Sequence, residues 1–381
     1  MPSCRACPAP NNPNCVSLSD LLHEVPRLWA FTPSRYWNVL LGVNREVRRQ
    51  VPGMVTCIKI TEALQPEQVH HLTKGCWSQL RCLDLSESCM TAAAACQLSS
   101  GAWPLLQSLA LARGDDRSSC CEQVFQGQFK GKWPLLESLT VSEHRLDIAQ
   151  VTALTEIDWP LLQTLCINPF DVAIPALMKG NWPELKDLSI GSAVSDGLEC
   201  LADLPWHTLQ QLQLNFGTIT PSGMYCLIQA HLPQLQELCF VDSEWHTEDE
   251  DCFAVLAQAK WPLLSTLELI GVEASLEGIR SLVTGQWPML HTFTFVSCDM
   301  TDEHMLLLVQ ASWPSVQNLT LAGHFEDMET LNMCMHKWPA LQTLTLGVGT
   351  DQTHNATMST TAKARWPSLD LQLIPAILLP L

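Results

Sequence analysis

Cysteine and histidine residues near the N-terminus are of the types that bind zinc. Cys4 and Cys7 form a C-x-x-C pair, and Cys15 and His23 follow. A structural zinc site needs four ligands and commonly combines two such pairs. Because a second C-x-x-C is missing, we predict a disordered leader over residues 1–17, with a zinc site as the alternative.

Two adjacent thiols, Cys120 and Cys121, are a second chemical candidate. They follow a stretch of Arg, Gly, Asp and Ser that begins at Arg113, a composition typical of a surface loop. Paired thiols can take part in redox chemistry or bind metal, but neither a third cysteine nor a histidine is close to them in the sequence. We therefore predict a surface loop at this point.

No residue pattern in the chain indicates catalysis. The phosphate-binding G-x-x-x-x-G-K-[ST], the metalloprotease H-E-x-x-H and the nucleophile motif G-x-S-x-G are absent. Neither a nucleophile beside a base nor a pair of carboxylates stands out. We predict that the chain is not an enzyme and has no catalytic residues and no cofactor.

The charge balance disfavours two classes of partner. The chain has 39 Asp and Glu against 21 Lys and Arg, a formal net charge of −18. Such a charge repels phosphate backbones and anionic membrane surfaces, so we expect neither nucleic acid nor a membrane as a partner. The longest apolar stretch, residues 373–381, contains two prolines. It is also far shorter than the about 20 residues of a membrane helix.

Cysteine usage indicates the compartment. The seventeen cysteines are odd in number and scattered, unlike a disulfide framework. The first 15 residues contain Cys, Pro and Asn where a secretory signal would have an apolar core. We therefore expect the chain to stay inside the cell, in the cytoplasm, with the nucleus as the alternative. Its cysteines should then be thiols.

One nine-residue pattern recurs along most of the chain. Its clearest copy is residues 261–269, Trp-Pro-Leu-Leu-Ser-Thr-Leu-Glu-Leu, which reads W-P-x-L-x-x-L-x-L. Anchored on the Trp position, twelve copies begin at residues 77, 103, 133, 159, 182, 206, 232, 261, 287, 313, 338 and 366, and eleven of them carry Trp. A leading copy without Trp places Val55, Ile58 and Ile60 at the same spacing.

This pattern, with intervals of 23 to 30 residues and L-x-x-L-x-L at its centre, resembles the leucine-rich repeat. The resemblance implies an α/β solenoid in the form of a horseshoe, with a parallel β-sheet on its concave face and helices on its convex face. Strands stack about 4.8 Å apart whereas helices need roughly 8–10 Å, so the sheet should lie inside the curve. We assign residues 53–381 to this solenoid, with about thirteen repeats.

Turn and cap residues mark the ends of the helices. Pro after the Trp position ends the preceding helix. Thr220, Ser275 and Thr301 are suited to be N-caps. Gly precedes Trp by two residues in five copies, at 75, 101, 131, 180 and 285, where a helix would need a left-handed terminator. We also predict that the Trp column, rather than the family's usual Asn ladder, holds the repeats in register.

In each strand the fifth, seventh and ninth residues after the Trp position should point away from the leucines, onto the concave face. No Lys or Arg occurs there, and many of these residues are Thr or Ser, which are also ordinary strand residues. We expect a protein partner with a basic patch. The candidates for partner contact are the larger polar and acidic residues: Asp84, Asp187, Gln211, Gln213, Asn215, Glu237 and Glu268.

Trp245 is out of register with the other tryptophans of the repeats and lies within an acidic run, residues 242–251. One interpretation is an exposed anchor in a binding loop. The other is the start of a helix capped by Thr247, whose first turn collects carboxylates. We favour the helix for the acids, and the sequence leaves the role of Trp245 open.

Residues 18–52 differ from the repeats and read as two short amphipathic helices. Their apolar positions are Leu21, Leu22 and Val25 in the first, and Leu40, Val43 and Val47 in the second. A leucine-rich opening helix and a closing helix of the V-x-R-x-V-R-R type, placed directly before leucine-rich repeats, resemble an F-box. The alternative is a helical cap that covers the first repeat, because a terminal repeat has no neighbour on one side.

These observations predict a non-catalytic scaffold for protein–protein interaction. The F-box resemblance implies its sharper form, a substrate receptor of a cullin-based ubiquitin ligase that binds a ligase linker subunit. The alternative is a structural or regulatory scaffold with no role in ubiquitin transfer.

Overall fold

The computed structural model describes residues 56–60, 64, 69–70, 72–73, 77–86, 88–90, 97–98, 101, 103–111, 113–114, 133–191, 199–203, 206–245, 252–324, 337–348 and 367–375. The predicted leader, the predicted module of residues 18–52 and the loop containing Cys120 and Cys121 lie outside these ranges. So does the acidic stretch of residues 246–251.

Parallel strands form the larger part of the described structure. They are β1 Cys57–Lys59, β2 Cys82–Asp84, β3 Cys89–Met90, β4 Ser108–Ala110, β5 Arg113–Gly114, β6 Ser138–Leu146, β7 Thr164–Pro169, β8 Asp187–Gly191, β9 Gln211–Ile219, β10 Glu237–Trp245, β11 Thr266–Ile270, β12 Thr292–Thr301, β13 Asn318–His324, β14 Thr343–Val348 and β15 Asp370–Pro375. Thirteen of them, all except β3 and β5, follow one another in chain order in one open sheet. The strand pairings within it are parallel.

Short helices connect many of these strands. They are α1 Ile148–Thr155, α2 Ile174–Leu177, α3 Pro221–Gln229, α4 Cys252–Leu256, α5 Leu276–Leu282 and α6 Asp302–Leu308, with 3-10 helices at Asp171–Ala173 and Glu199–Asp203. Parallel strands that are adjacent in both sequence and space need such crossover connections. The sequence prediction of an α/β leucine-rich repeat architecture is confirmed. Among the described helices, none has the length and apolar character needed to cross a membrane.

The leucines of the repeat point to one side of the sheet and form its core. In the repeat that contains β11, Leu264, Leu267 and Leu269 are fully buried. Residues between them alternate onto the opposite side, because successive side chains of a strand point in opposite directions. The L-x-x-L-x-L spacing therefore generates one apolar side and one side that is free to vary.

A repeated backbone hydrogen-bond pattern sets the register of neighbouring strands. The N–H groups of Ser265 and Thr266 both donate to the carbonyl of Gln236, at 2.8 and 3.0 Å. In the next repeat the N–H groups of His291 and Thr292 donate to the carbonyl of Ser265, at 2.8 and 2.9 Å. Each repeat is thus attached at the same point to the one before it.

The tryptophans of the repeats form a buried column. Trp103 stacks on Trp133 with ring centroids 5.8 Å apart, and Trp287 packs on Trp313 at the same distance. The Trp313 Nε1–H donates to the carbonyl of Gly285 at 3.0 Å. These contacts link consecutive repeats, as expected of a device that holds repeats in register.

The glycines before the tryptophans have a different role from the predicted one. A Cβ added at Gly101, Gly180 or Gly285 would lie 2.4 to 2.5 Å from the indole of the Trp two residues later. Among the described glycines, Gly271 is the one in the left-handed region, with φ of 69°. The prediction of a left-handed helix terminator is therefore wrong at these three positions. Glycine stands there because the indole ring occupies the space of a side chain.

Two of the predicted helix caps are confirmed by hydrogen bonds. The Thr220 hydroxyl accepts from the N–H of Gly223 at 3.1 Å at the start of α3. The Ser275 hydroxyl accepts from the N–H of Gly278 at 3.0 Å at the start of α5. Thr301 is the N-cap residue of α6. Helices α3 and α5 therefore begin where a side chain satisfies an otherwise unpaired amide.

In the last copy the stretch from the Trp position to the last leucine is one residue shorter than in the others. In β15, Asp370 pairs with Thr343 and Leu371 pairs with Leu344. Residues 366–373 thus read W-P-x-L-x-L-x-L, and the pattern W-P-x-L-x-x-L-x-L is wrong for this copy. The register follows the leucines rather than the distance from the Trp position.

The chain forms two compact units that meet in sequence between Leu188 and Ser189. The N-terminal unit contains strands β1 to β7 with helices α1 and α2, and the C-terminal unit contains β9 to β15 with α3 to α6. Strand β8 spans the division.

Candidate functional site

The outward face is the side of the sheet opposite the leucines, formed by the fifth, seventh and ninth residues of each repeat counted from the Trp position. In the C-terminal unit five of its polar side chains lie on the adjacent strands β9, β10 and β11. Gln211 is exposed, and Gln213, Asn215, Glu237 and Glu268 are half-buried between neighbouring strands. The structure therefore brings five of the seven candidate residues into one region.

Amide side chains on β9 are held by hydrogen bonds. The Gln213 Nε2 donates to the Asn215 Oδ1 at 2.8 Å, and the Asn215 Nδ2 lies 3.4 Å from the Ser189 hydroxyl oxygen of β8. Side chains fixed before binding lose less conformational entropy when a partner arrives. This part of the face offers donors and acceptors in a set geometry.

Two carboxylates lie beside these amides. Cys239 of β10 pairs in register with Glu268 of β11, and Glu237 pairs with Thr266. The Cys239 thiol donates to the Glu268 Oε2 at 3.4 Å. Burial, and then the neighbouring Glu268, raise the pKa of Cys239. Cys239 therefore stays a neutral thiol at physiological pH.

No cation occupies the outward positions of β9 to β15, where the fifth, seventh and ninth residues include neither Lys nor Arg. Glu237 and Glu268 are the acids at these positions, and Asp370, the fourth residue after Trp366, is outward as well because it pairs in register with Thr343. The outward face of the C-terminal unit is therefore a polar and negatively charged surface along seven consecutive strands.

Asp84 does not fit the predicted role of partner contact. Its side chain is buried, with 7% of the residue exposed. It accepts from the N–H and the hydroxyl of Ser86, at 3.0 and 2.6 Å, and forms an ion pair with Lys59 of β1 at 3.4 Å. Lys59 is a base on the outward face, so the prediction of a face without bases is wrong at β1. Strand β1 belongs to the leading copy, which has no Trp from which outward positions are counted.

Asp187 lies on β8 in the N-terminal unit and is half-buried. The Thr164 hydroxyl donates to its Oδ2 at 3.1 Å. Burial raises the pKa of Asp187, while the hydrogen bond from Thr164 and the charge of Lys186 act in the opposite direction. The Asp187 carboxylate is thus already hydrogen-bonded to Thr164 and lies near the charge of Lys186.

The ninth positions of four consecutive repeats are not open to solvent. Val241, Ile270, Val296 and Ala322 form a buried apolar cluster, with Cys239 packed against it. They follow the inward leucines and so lie on the outward side of the sheet. An outward position is therefore not always an exposed one, and in these repeats the accessible part of the face consists of the fifth and seventh positions.

Trp245 is buried at the end of β10, with 7% of the residue exposed. Its ring lies 5.3 Å from Phe240 and 4.5 Å from Phe253 of α4, measured between centroids. Phe240 is itself fully buried. Trp245 is therefore a core residue, and the prediction of an exposed loop anchor is wrong.

A second polar column was missed in the sequence. The fourth residue after the Trp position is Gln in six of the twelve copies. The Gln107 Nε2 donates to the Glu137 Oε1 at 3.0 Å, and the Lys186 Nζ donates to the Gln163 Oε1 at 3.1 Å. These bonds join consecutive repeats. The recurrence of Gln at the fourth residue after the Trp position is the sequence signal for this column. Strand alternation alone does not indicate it.

An exposed apolar patch in the N-terminal unit was also missed. Ile148, Phe170 and Val172 are 50, 41 and 69% exposed. They lie where β6 and β7 pass into the helices that follow. The Arg145 guanidinium stands over the Phe170 ring at 5.2 Å. No sequence pattern indicates this patch, because its residues belong to different connections.

The described residues contain no group of three His, Cys, Asp or Glu side chains arranged to hold a metal ion. The F-box-like residues Leu21, Leu22, Val25, Leu40, Val43 and Val47 lie outside the described part of the chain.

Comparison with known proteins gives structural similarities only. No protein-family model matches the chain, and no curated protein does. An internalin (inlF) from Listeria monocytogenes is 16% identical over 81% of this chain and 88% of its own, with a TM-score of 0.40. An internalin C2 (inlC2) from the same organism is 16% identical over 58% and 82%, with a TM-score of 0.36. A TDR receptor is 13% identical over 94% of this chain and 61% of its own, with a TM-score of 0.41. Such values are too low to carry a function from those proteins to this chain.

Proposed function

We propose that this chain is a non-catalytic protein-binding scaffold and that its partner lies on the outward face of β9, β10 and β11. The observation that carries the proposal is the set of polar side chains held in fixed register on these adjacent strands. Gln213 and Asn215 are hydrogen-bonded to each other, and Glu268 accepts from Cys239. A surface arranged before binding can recognise a partner at low entropic cost.

The extent of the face favours a macromolecule over a metabolite. Strands β9 to β15 are consecutive in the sheet. Six intervals of about 4.8 Å span roughly 29 Å, which is the width of a protein interface rather than of a small-molecule pocket. Small-molecule sites are usually concave and lined by apolar groups, whereas the fifth and seventh positions here are mostly Gln, Glu, Thr and Asn.

Charge indicates the chemistry of the partner. Glu237 and Glu268 are on neighbouring strands, and no base is at the outward positions of β9 to β15. A partner that contacts this region should therefore present Lys or Arg. Charge complementarity of this kind acts mainly on the rate of association and on the choice of partner.

The test is a double charge reversal, Glu237→Lys with Glu268→Lys. A matched control reverses two exposed acids away from the outward face, Glu156→Lys with Glu273→Lys. Proteins that the wild type captures from cells are purified for direct measurement, whether or not the Glu237/Glu268 variant also captures them. Association rates are then compared at two ionic strengths, with a melt to show that each variant is folded.

We expect the Glu237/Glu268 reversal to lower the association rate by at least about tenfold, since opposite charges become like charges at the contact. The association rate of the control variant should remain near that of the wild type. Wild-type binding should weaken as salt is added. Binding that is independent of salt and equal in all three proteins would remove the site from this face, and the exposed patch around Phe170 would then be the next region to examine.

The sharper form of the proposal concerns residues 18–52. We propose an F-box-type segment that joins the scaffold to a ubiquitin ligase, supported by the spacing of Leu21, Leu22 and Val25 before Leu40 and Val43. Deletion of residues 18–52 should then abolish co-purification with a ligase linker subunit and leave partner binding on β9 to β11 intact. If the segment is instead a cap, the full chain will not bind the linker, and the deletion will lower the stability of the first repeats.

A further inference from the structure

Two cysteines occupy neighbouring places on the first two strands of the sheet. Cys57 of β1 and Cys82 of β2 are in-register partners, and the Cys82 N–H donates to the carbonyl of Thr56 at 3.0 Å. Leucine-rich repeat strands place such partners about 4.8 Å apart with their side chains on the same side. A disulfide needs Cα atoms about 4.4 to 6.8 Å apart. The backbone register therefore meets this requirement without a change of pairing.

Neither cysteine is in a disulfide, and both are half-buried on the outward face. The next strand supplies Ser108, the in-register partner of Cys82. One place further along, Lys59 and Asp84 form an ion pair. The thiols thus lie among hydrogen-bonding and charged groups instead of in the leucine core, and a small oxidant can reach them.

The surroundings favour the thiolate of Cys82. Its pKa is lowered, and the largest cause is the hydrogen bond that the Cys57 thiol donates to it. The Ser108 hydroxyl and the charge of Lys59 act in the same direction, whereas burial and the charge of Asp84 oppose them. Cys239 provides the contrast, because burial and Glu268 raise its pKa. Thiolates rather than thiols are the reactive nucleophiles.

We infer that Cys57 and Cys82 are a redox-responsive thiol pair that a hydroperoxide converts into a disulfide between β1 and β2. The Cys82 thiolate attacks the peroxide oxygen, an S–O bond forms, the O–O bond breaks, and the leaving hydroxide or alkoxide takes up a proton. Cys57 then loses its proton and attacks the sulfur of the Cys82 sulfenic acid. The S–S bond forms, and the hydroxide leaves with that proton as water. The two thiols together lose two electrons to the peroxide.

The consequence is local to the first repeats. Strand β1 is the first in the strand order and pairs, among the described strands, with β2 alone. An edge strand has hydrogen bonds on one side and opens more readily than an internal strand. A disulfide to Cys82 would fasten β1 to the sheet, so oxidation should protect its amides from exchange. This inference does not depend on partner binding at β9 to β11.

The test uses the reduced full-length chain treated with hydrogen peroxide, followed by blocking, digestion and mass spectrometry. The wild type should yield a linked peptide that contains Cys57 and Cys82. In Cys57→Ser the second step cannot occur, so a sulfenic acid at Cys82 should accumulate and be trapped by dimedone. Slower amide exchange in β1 after oxidation should be seen in the wild type and not in this variant. A melt of the reduced variants shows that each is folded.

Alkylation rates provide a second and independent measurement. At neutral pH, Cys82 should react at least about tenfold faster than Cys239, since each unit of pKa changes the thiolate fraction by about tenfold. Cys57→Ala removes the main hydrogen bond and should move the pH midpoint of Cys82 alkylation upward. Cys57→Ser, which keeps a hydroxyl donor, should move it less. Equal rates at Cys82 and Cys239, or peroxide products that lack the Cys57–Cys82 peptide, would overturn the inference.

Discussion

Trp245 and Trp261 are both buried tryptophans, but they belong to different contacts. Trp261 stands at the Trp position of its repeat, whereas Trp245 lies at the end of β10 against Phe240 and Phe253. The sequence distinguishes them by register and leaves Trp245 within an acidic run. Both side chains are buried, so removing either indole should leave a cavity in the core.

We therefore expect Trp245→Ala and Trp261→Ala each to lower the free energy of unfolding by about 3 to 5 kcal/mol. Leu263→Ala, at a side chain that is 40% exposed, is the control and should cost less than about 1 kcal/mol. Denaturant melts of the three variants measure these differences. A Trp245→Ala variant as stable as the Leu263→Ala control would contradict the burial of Trp245 in the core.

Cys82 and Cys239 show how neighbours decide the chemistry of one residue type. Both are half-buried thiols on the outward face. The pKa of Cys82 is lowered chiefly by a donor, the Cys57 thiol, whereas the pKa of Cys239 is raised by burial and by the adjacent Glu268. A thiolate is stabilised by donors and cations and destabilised by carboxylates. The cross-strand partner thus decides which of the two thiols is reactive.

At the scale of the element, each strand is stabilised together with the tryptophan that precedes it. Trp313 packs against Trp287 of the preceding repeat, and its Nε1–H donates to the carbonyl of Gly285. It also packs against Phe293 of β12, with centroids 4.9 Å apart. One indole therefore stabilises two repeats, and Gly285 must lack a side chain to make room for Trp287.

Trp313→Ala should consequently raise amide exchange most strongly in β12, β13 and β14. Strand β9 should change little, because in stacked repeats the stabilising contacts run between nearest neighbours. Trp313→Phe is the matched variant: it keeps an aromatic ring, loses the hydrogen bond to Gly285, and should have a smaller effect. Hydrogen exchange measured by mass spectrometry resolves these segments. A uniform loss of protection from β9 to β15 would show that the C-terminal unit opens as a whole.

At the scale of the whole molecule, the net charge acts on the association with a basic partner. The chain carries a net charge of −18, and the double reversal of Glu237 and Glu268 changes it by +4, to −14. The control pair, Glu156 and Glu273, gives the same net charge. Long-range attraction of a basic partner should therefore be similar in both variants, and the difference between them reports the location of the charges. Some salt dependence should persist even after the reversal.

Much of the fold could be predicted because its determinants are local and repeated. Leucine or another apolar residue at the third, sixth and eighth places after most Trp positions imposes strand alternation. Thr220 and Ser275 cap helices through side chains three residues from their partners. Repetition then dictates that sequential strands are parallel neighbours. The candidate residues Gln213, Glu237 and Glu268 share a region for the same reason.

The rest was decided by contacts between distant parts of the chain. Lys59 neutralises Asp84 from another strand, Phe253 covers Trp245 from a helix, and Val241 joins a buried cluster whose members come from four repeats. Alternation tells which side of a strand a residue occupies, whereas burial depends on what lies above that side. The periodic sequence thus determined the sheet and its register, and tertiary packing alone determined which outward positions remain open to a partner.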